Sequence, residues 1–522
     1  MSDAAAEAPA LGAFGVRPHP AIELVAVAGL GALQTAAFVA GDLWPLQMIA
    51  VALLAWRVGR ATVGRAAALG FVFGAAWLGA GTWWLFVSMH RYGGLSAALA
   101  ASAVAALASL LSLYLAAAMA VVARWRRADP VVSAAMFGAA WLLAELARGV
   151  IFTGFPWVAS GYAHVDSPLA GYAAWLGVYG VGAIAAALAA AFGLSRLSQG
   201  RGWIAPVALL AATLTLGTMA QRIDYTQPAG ALNVSLLQGN VPQEEKFAAR
   251  HVPEALEATL AQLDGAEGQL VIGPETVIPL LPDQLDPAWW QALLERFRRP
   301  GHAALIGLPL GNEREGYTNS AAGISAETAA LPLGFYRYDK HHLVPFGEFI
   351  PTGFRWFTEL MHIPLGDFNR GRLRAPSFLV QGQRVAPNIC YEDLFGEELA
   401  ARFVPESEAP TVLANLSNIG WFGETIAIPQ HLQISRMRSL ELQRPMVRAT
   451  NTGATAVIDH RGHVVRALPP FERGTLEAAI DGRTGLTPFA TWAGYLGLWP
   501  LLALGVAVLL GSGLGRPSVA PP

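Results

Sequence analysis

Val385-Ala386-Pro387-Asn388-Ile389-Cys390-Tyr391-Glu392-Asp393 holds the only cysteine of the 522-residue chain. An apolar run leads into it and a turn-prone, acidic run follows. This is the pattern of a buried strand that ends at a sharp bend with the thiol at its tip. A lone cysteine is commonly a small buried hydrophobe. Two earlier stretches give this one chemical company. Gly273-Pro274-Glu275-Thr276 reads as a strand end bearing a carboxylate, and the segment from Tyr338 to Glu348 carries Lys340. A carboxylate, an ammonium and a thiol, each at a strand end, are what covalent acyl chemistry by a thiolate needs. Taken singly, Glu275 reads equally as a helix-entry cap and Lys340 as a surface charge.

The bulk composition points to lipid. Hydrophobic residues make up 54% and charged residues only 14%, against about 25% charged in ordinary soluble domains. The apolar residues fill the first 220 positions and the last 30. A net charge of −2 and no basic patch give no electrostatic case for a nucleic-acid partner. One cysteine excludes an intrachain disulfide and a cysteine-ligated metal cluster. Residues 1–20 are Ala- and Pro-rich, without the basic start and apolar core of a cleavable signal, and read as a disordered tail.

Residues 21–220 read as a membrane domain of seven helices, with apolar runs at Ile22–Ala40, Leu43–Trp56, Ala66–Met89, Leu95–Ala123, Val131–Val150, Pro168–Leu194 and Trp203–Met219. An eighth run, Ala493–Leu510, predicts a C-terminal span within residues 491–512, followed by a tail at 513–522. Basic residues recur in alternate loops: Arg57, Arg60 and Arg65; Arg124, Arg126 and Arg127; Arg196 and Arg201. The positive-inside rule puts those loops and the N-terminus in the cytoplasm, so residues 221–490 are expected on the outer face. Glu145 and Arg148 share a face of the fifth span, as a structural ion pair or a functional one. Trp83-Trp84, Tyr92 and Phe155-Pro156-Trp157 suit the outer headgroup zone.

Residues 221–490 change character. Leu232–Leu237, Gln269–Ile272, Ala303–Leu308, Val385–Ile389, Thr411–Ala414 and Ala454–Ile458 read as strands. Pro253–Leu263, Pro287–Phe297 and Pro429–Leu442 read as helices, each with proline at or near its start. Strands alternating with helices indicate a layered α/β domain. There is no glycine-rich phosphate loop, and the adjacent His341-His342 would point apart on a strand, a poor metal geometry.

Together with their flanking residues, these motifs resemble the nitrilase superfamily, whose Glu-Lys-Cys triad sits in an αββα sandwich. More narrowly they resemble the apolipoprotein N-acyltransferases of Gram-negative bacteria. The resemblance runs through Thr82-Trp83, Gly154-Phe155-Pro156-Trp157, Gln238 to Gln243, Gly273-Pro274-Glu275 and Lys340 to Pro351. It continues through Ile389 to Glu392, Asn415 to Asn418, Trp421-Phe422-Gly423 and Arg436 to Asn451. It implies Glu275 as general base, Lys340 as stabiliser of the tetrahedral intermediate and Cys390 as nucleophile. Glu348 would hold the lysine or help proton transfer, Tyr391 and Glu392 would line the pocket, and Trp421 and Phe247 would contact substrate. Phe247 stands where the family often has tryptophan, Gly273 where tryptophan is common, and Ile419 where an acid is usual. The implied reaction needs no cofactor and no metal. It moves an acyl chain from a phospholipid, typically phosphatidylethanolamine, through a cysteine thioester to the α-amine of a diacylglyceryl-cysteine on a lipoprotein. The implied location is the bacterial inner membrane, multi-pass, with the catalytic domain on the periplasmic side. Phe346–Trp356 and Leu360–Ile363 suit a lid that dips into the headgroups. A tethered amidase using water and a multi-span transporter are the competing readings; the transporter lacks repeats and interrupted spans in matching positions.

Overall fold

The computed structural model describes residues 20–127, 129–195, 202–246, 248, 250–351, 353 and 367–513. Helices stand at all seven expected positions of the first half: α1 (Pro20–Leu33), α2 (Trp44–Val58), α3 (Val63–Thr82), α4 (Ala97–Arg124), α5 (Pro130–Val150), α6 (Ala173–Leu194) and α7 (Ile204–Ala220). Five helical stretches among the described residues are long and apolar enough to cross a membrane: Pro20–Phe38, Val63–Thr82, Ala97–Arg124, Pro130–Thr153 and Pro168–Leu194. The helix α7 is apolar but only 17 residues long, about 25 Å at 1.5 Å per residue. Glycines let the helices pack closely: a Cβ on Gly70 would meet Leu115 O at 2.8 Å, and one on Gly138 would meet Ala183 O at 2.9 Å. Close approach through small residues is how helices associate where no hydrophobic drive separates them from lipid. Leu110, Leu113, Leu216 and Leu504 remain exposed, on the outside of the bundle.

Two sequence expectations change here. The run Ala66–Met89 is not one regular α-helix, because α3 stops at Thr82 and, after a turn at Trp83-Trp84, the chain continues through a short α-helical piece, Leu85–Val87, and a π-helical one, Ser88–Tyr92. At the break the Trp84 indole is buried, donating to the Gln430 side chain of the second half of the chain at 3.0 Å. The expected C-terminal span Ala493–Leu510 is instead two helices, α11 (Pro488–Leu496) and α12 (Trp499–Gly513), bent by 94°. Gly497 at φ +57 makes the break, a conformation that costs glycine little. Phe489, Ala490 and Ala493 of α11 pack into the catalytic domain with Leu399, Phe403 and Leu442. A boundary at residue 490 therefore cuts a helix that belongs to that domain. The basic loop and the end of α12 meet, since Arg127 donates to Ser512 O.

Residues 227–484 form two six-stranded sheets. One runs β12-β1-β2-β3-β4-β5 and the other β11-β10-β9-β8-β7-β6. The first sheet is β1 (Gln227–Gln238), β2 (Leu270–Ile272), β3 (Ala303–Asn312), β4 (Gly316–Ile324), β5 (Tyr336–Asp339) and β12 (Gly474–Thr484). The second is β6 (Phe378–Val380), β7 (Gln383–Ile389), β8 (Val412–Ser417), β9 (Met446–Thr450), β10 (Ala456–Ile458) and β11 (Val464–Ala467). Their inner faces meet through Leu232, Val234, Leu270 and Leu305 on one side and Val385, Ile389, Leu416 and Val447 on the other. Helices α8 (Val252–Gly265) and α9 (Pro287–Phe297) cover the first sheet, where Leu263, Leu293 and Phe297 pack on Val271 and Ile306. Helix α10 (Ala427–Leu442) covers the second. The result is an αββα sandwich, the layer order that buries both faces of two sheets.

In each sheet the central strands are parallel: β1, β2 and β3 in one, β7, β8 and β9 in the other. Their carboxyl ends all face one edge of the sandwich, the end of a parallel sheet where side chains after the strands are free to converge. Helix α10 ties this edge to the membrane helices. The Gln430 amide accepts from Trp84 and Trp157 and donates to Gly81 O at 3.0 Å, while the Glu441 carboxylate accepts from Val178 N at 2.7 Å.

Candidate active site

Cys390 is the residue after β7, and its φ of +52 lies in the left-handed region. An L-residue there is strained, and strain of this kind persists where the surroundings over-determine it. The surroundings do so. The Cys390 carbonyl accepts from Asn415 Nδ2 and His431 Nε2, both at 3.3 Å. Below it, Asp393 is fully buried and accepts from His431 at 2.9 Å, Arg448 at 3.3 Å and the Ser435 hydroxyl. The bend that the sequence places at the strand tip is thus held from beneath by a buried polar network.

Glu275 follows β2 at the facing edge, in a loop in which Thr276 also has positive φ, at +49. Its Oε1 accepts from Asn319 Nδ2 at 2.8 Å and from Lys340 Nζ at 3.4 Å, and its Oε2 accepts from Asn418 N at 2.9 Å. Lys340 follows β5, is almost wholly buried, and donates to Glu348 Oε1 at 2.9 Å. Glu348 in turn accepts from Asn319 Nδ2 at 2.6 Å and Val344 N at 2.8 Å. Burial alone would drive the Lys340 proton off, but Glu348 and Glu275 outweigh it and hold the ammonium above its ordinary range. The lysine is a fixed cation.

The thiol faces the Glu275 and Lys340 charges. Burial first and the Glu275 carboxylate second push it up to about 12, against the pull of Lys340. At neutral pH a thiol so placed is held in its protonated form. Attack from such a thiol would require a group that takes the proton as the bond forms, and Glu275 is the carboxylate whose charge acts most strongly on it.

The remaining sequence candidates fall in distinct places. The Glu392 carboxylate is occupied as a brace instead of facing a pocket: it accepts from Ile389 N at 2.6 Å, His341 N at 2.7 Å, His342 N at 3.2 Å and Tyr338 OH at 2.8 Å. It joins the Lys340 loop to the Cys390 bend. Each backbone N–H that lost this partner while buried would cost about 1–3 kcal/mol. Tyr391 is buried against Phe395, and its hydroxyl donates to Gly154 O of the membrane domain at 3.1 Å. Trp421 sits half-buried against the helical half of the chain, edge-on to Tyr92 at 5.8 Å, beside Phe422, which lies 4.2 Å from Trp84. Phe247 lies outside the described residues, as do residues 352, 354–356 and 360–363 of the expected lid. His341 and His342 part as expected, the first to Gly371 O and the second stacked on Phe395. Among the described residues no group of three or more His, Cys, Asp or Glu could hold a metal ion.

Sequence reasoning assigned no role to Asn319, Asn418, His431 or Lys246. The Asn415-Leu416-Ser417-Asn418 run, two amides spaced three apart at a strand end, was the available signal for one of them. Asn319 lies mid-strand and Lys246 in a charged turn, where neither pattern nor composition marks them. Ile419 is buried in the apolar cluster shared with the membrane helices, which accounts for an apolar residue there.

Comparison with known proteins matches the two halves of the chain. Residues 30–191 match the model of the apolipoprotein N-acyltransferase N-terminal domain, and residues 233–489 match that of carbon-nitrogen hydrolases. The apolipoprotein N-acyltransferase of Verminephrobacter eiseniae is 51% identical over 497 residues, covering 90% of this chain and 92% of that protein. That of Ralstonia nicotianae is 47% identical over 488 residues, covering 92% and 91%. With a bundle of apolar helices carrying an αββα sandwich, and with identity at this level along nearly its whole length, the chain is a membrane protein that belongs to the apolipoprotein N-acyltransferase family.

Proposed function

We propose that the chain transfers a fatty acyl group from a phospholipid to the α-amino group of a diacylglyceryl-modified N-terminal cysteine, through a thioester on Cys390. The observation that carries this reading is the meeting of Glu275, Lys340 and Cys390 at the edge of the sandwich that α10, Trp84 and Trp157 tie to the membrane helices. A thiol at that edge meets an ester whose chains stay in lipid.

Glu275 takes the thiol proton as sulfur attacks the ester carbonyl. The carbonyl oxygen becomes anionic beside the Lys340 ammonium, which stabilises it. Collapse breaks the ester C–O bond, and the Glu275 proton passes to the departing glycerol oxygen, releasing lyso-phospholipid. In the second half the acceptor amine attacks the thioester. Its proton returns by way of Glu275 to the Cys390 sulfur, and the amide leaves. Glu348 keeps Lys340 charged and aimed; Trp421 and Phe247 contact the lipid substrates. Phosphatidylethanolamine supplies the acyl chain.

The test is the fate of the acyl-enzyme. Purified protein given phosphatidylethanolamine alone should accumulate an acyl-Cys390 adduct visible by mass spectrometry. A diacylglyceryl-cysteine peptide with a free amine should discharge it, and the N-acetylated peptide should not. Steady release of free fatty acid without any acceptor would make the protein a hydrolase and overturn the transferase reading.

The same reading places the protein in the bacterial inner membrane with the sandwich on the periplasmic side, supported by the alternation of basic loops. In a Cys390→Ala background, a cysteine introduced beside Arg126 should react with an impermeant maleimide only after permeabilisation. One introduced within Gln262–Gly265 should react in intact spheroplasts. The opposite pattern would reverse the orientation.

A further inference from the structure

The active site holds a second buried lysine. After β1 the chain turns through Asn240, at φ +47, into a four-residue helical turn, Gln243–Lys246. The approach to this turn is clamped. Asn240 N donates to Asn451 O at 2.8 Å, Val241 N to Asn451 Oδ1 at 3.0 Å, and Asn451 Nδ2 back to Val241 O at 2.8 Å. Gln243 accepts from Asn418 Nδ2 at 2.9 Å, and the Asn418 backbone is the donor on Glu275 Oε2. Lys246, only 5% exposed, reaches from this turn to donate to the backbone carbonyl of Glu275 at 2.8 Å.

A buried lysine is costly unless something needs its charge. Two carboxylates of the site, Glu275 and Glu348, face one cation, Lys340. With Lys340 alone the site carries an excess negative charge before any thiolate or oxyanion forms. Lys246 adds a second cation against these carboxylates and against Glu392, whose charge Lys340 also feels. Its charge acts on both Glu275 and Cys390, although burial lowers it to about 8. The other charges near the thiol, Asp393 and Arg448, already pair with each other below the bend.

We propose that Lys246 is a positioning residue of the reaction: it fixes the Glu275 backbone and, with Lys340, balances the negative charge that forms on Cys390 and on the carbonyl oxygen. The mechanistic part rests on the acyl-transfer reading above, and the electrostatic part does not. Loss of Lys246 slows formation of the acyl-enzyme and leaves the apparent KM for phospholipid near the wild-type value. Lys246→Met keeps the length of the side chain and removes the charge. Lys246→Arg keeps the charge, and Lys246→Gln keeps a donor for the carbonyl without it.

The experiment measures alkylation of Cys390 by iodoacetamide against pH in the full-length, detergent-solubilised protein, alongside the rate of acyl-Cys390 formation and the melting temperature. Lys246 carries its charge below about pH 8, so the comparison that decides is made at pH 7. There the loss of one nearby cation, equivalent to about one unit or more of thiol shift, should make alkylation of Lys246→Met roughly tenfold slower or more. Lys246→Arg should recover most of this and Lys246→Gln little. Should Lys246→Met fail to fold, the contrast between Arg and Gln carries the test. Wild-type alkylation profiles in Lys246→Met, or equal recovery by Gln and Arg, would overturn the charge-balancing role. Slowed alkylation in a protein whose wild-type form never accumulates acyl-Cys390 would uphold the charge and refute the acyl-transfer reading.

Discussion

Cys390→Ala abolishes acyl transfer and leaves no acyl adduct of the protein detectable by mass spectrometry. The expectation is absolute because no second thiol exists anywhere in the chain. The covalent route splits one difficult transfer into two easier ones, and without sulfur neither half can begin. The variant should nonetheless fold. Alanine carries a Cβ like cysteine, so it meets the same strain at φ +52. The bonds from Asn415 and His431 go to the backbone carbonyl, which is unchanged. Thermal unfolding should stay near wild type while turnover falls to background. Turnover that survives in Cys390→Ala would remove the cysteine from the mechanism.

Glu275→Gln separates two properties of the thiol. Removing the carboxylate lifts the second largest cause of the raised thiol titration, burial being the first. The folded-state value should then fall from about 12 toward the ordinary range, so the thiolate fraction at neutral pH rises. Alkylation by iodoacetamide, which needs only thiolate, should become faster. Acylation by phospholipid should slow by about 10²–10⁴-fold, the usual weight of a general acid–base group. Without Glu275, no neighbour receives the thiol proton and delivers it to the leaving glycerol oxygen. Glutamine keeps one acceptor oxygen, so its amide hydrogens face either the Asn319 and Lys340 donors or the Asn418 N–H, and the variant should lose some thermal stability as well. Opposite changes in alkylation and acylation are the signature of a base. Near-normal acylation would show that another group takes the proton.

The division of the chain into apolar bundle and sandwich was legible because each has a periodicity of its own. Runs of about twenty apolar residues have few other uses, and alternating strands and proline-started helices have a recognisable period. Pro287–Phe297 came out with its bounds intact, and Ala427–Leu442 began two residues before its expected start. What failed were the places where a run of apolar residues serves two masters. Ala493–Leu510 is apolar throughout, but its first turn is core of the sandwich and its remainder lies along α5, and only Gly497 separates them. Hydropathy alone cannot see that difference.

The positions of the three proposed catalytic residues were legible for a separate reason. Glu275, Lys340 and Cys390 each stand just after a strand, and a strand end is a local property readable from the residues around it. Which of them face one another is a property of topology. The glutamate and lysine come from one sheet and the cysteine from the other, so their meeting depends on the sandwich packing. The same holds for the groups that sequence left without a role. Asn319 bridges Glu275 and Glu348 from the middle of β4, His431 reaches Cys390 from a helix 41 residues on, and Lys246 reaches Glu275 from 29 residues before it. The sequence by itself determined the elements and the chemistry at their ends. Only the tertiary structure decided which charges share a site, because Coulomb's law acts on distances in space and the chain specifies those only once its layers are packed.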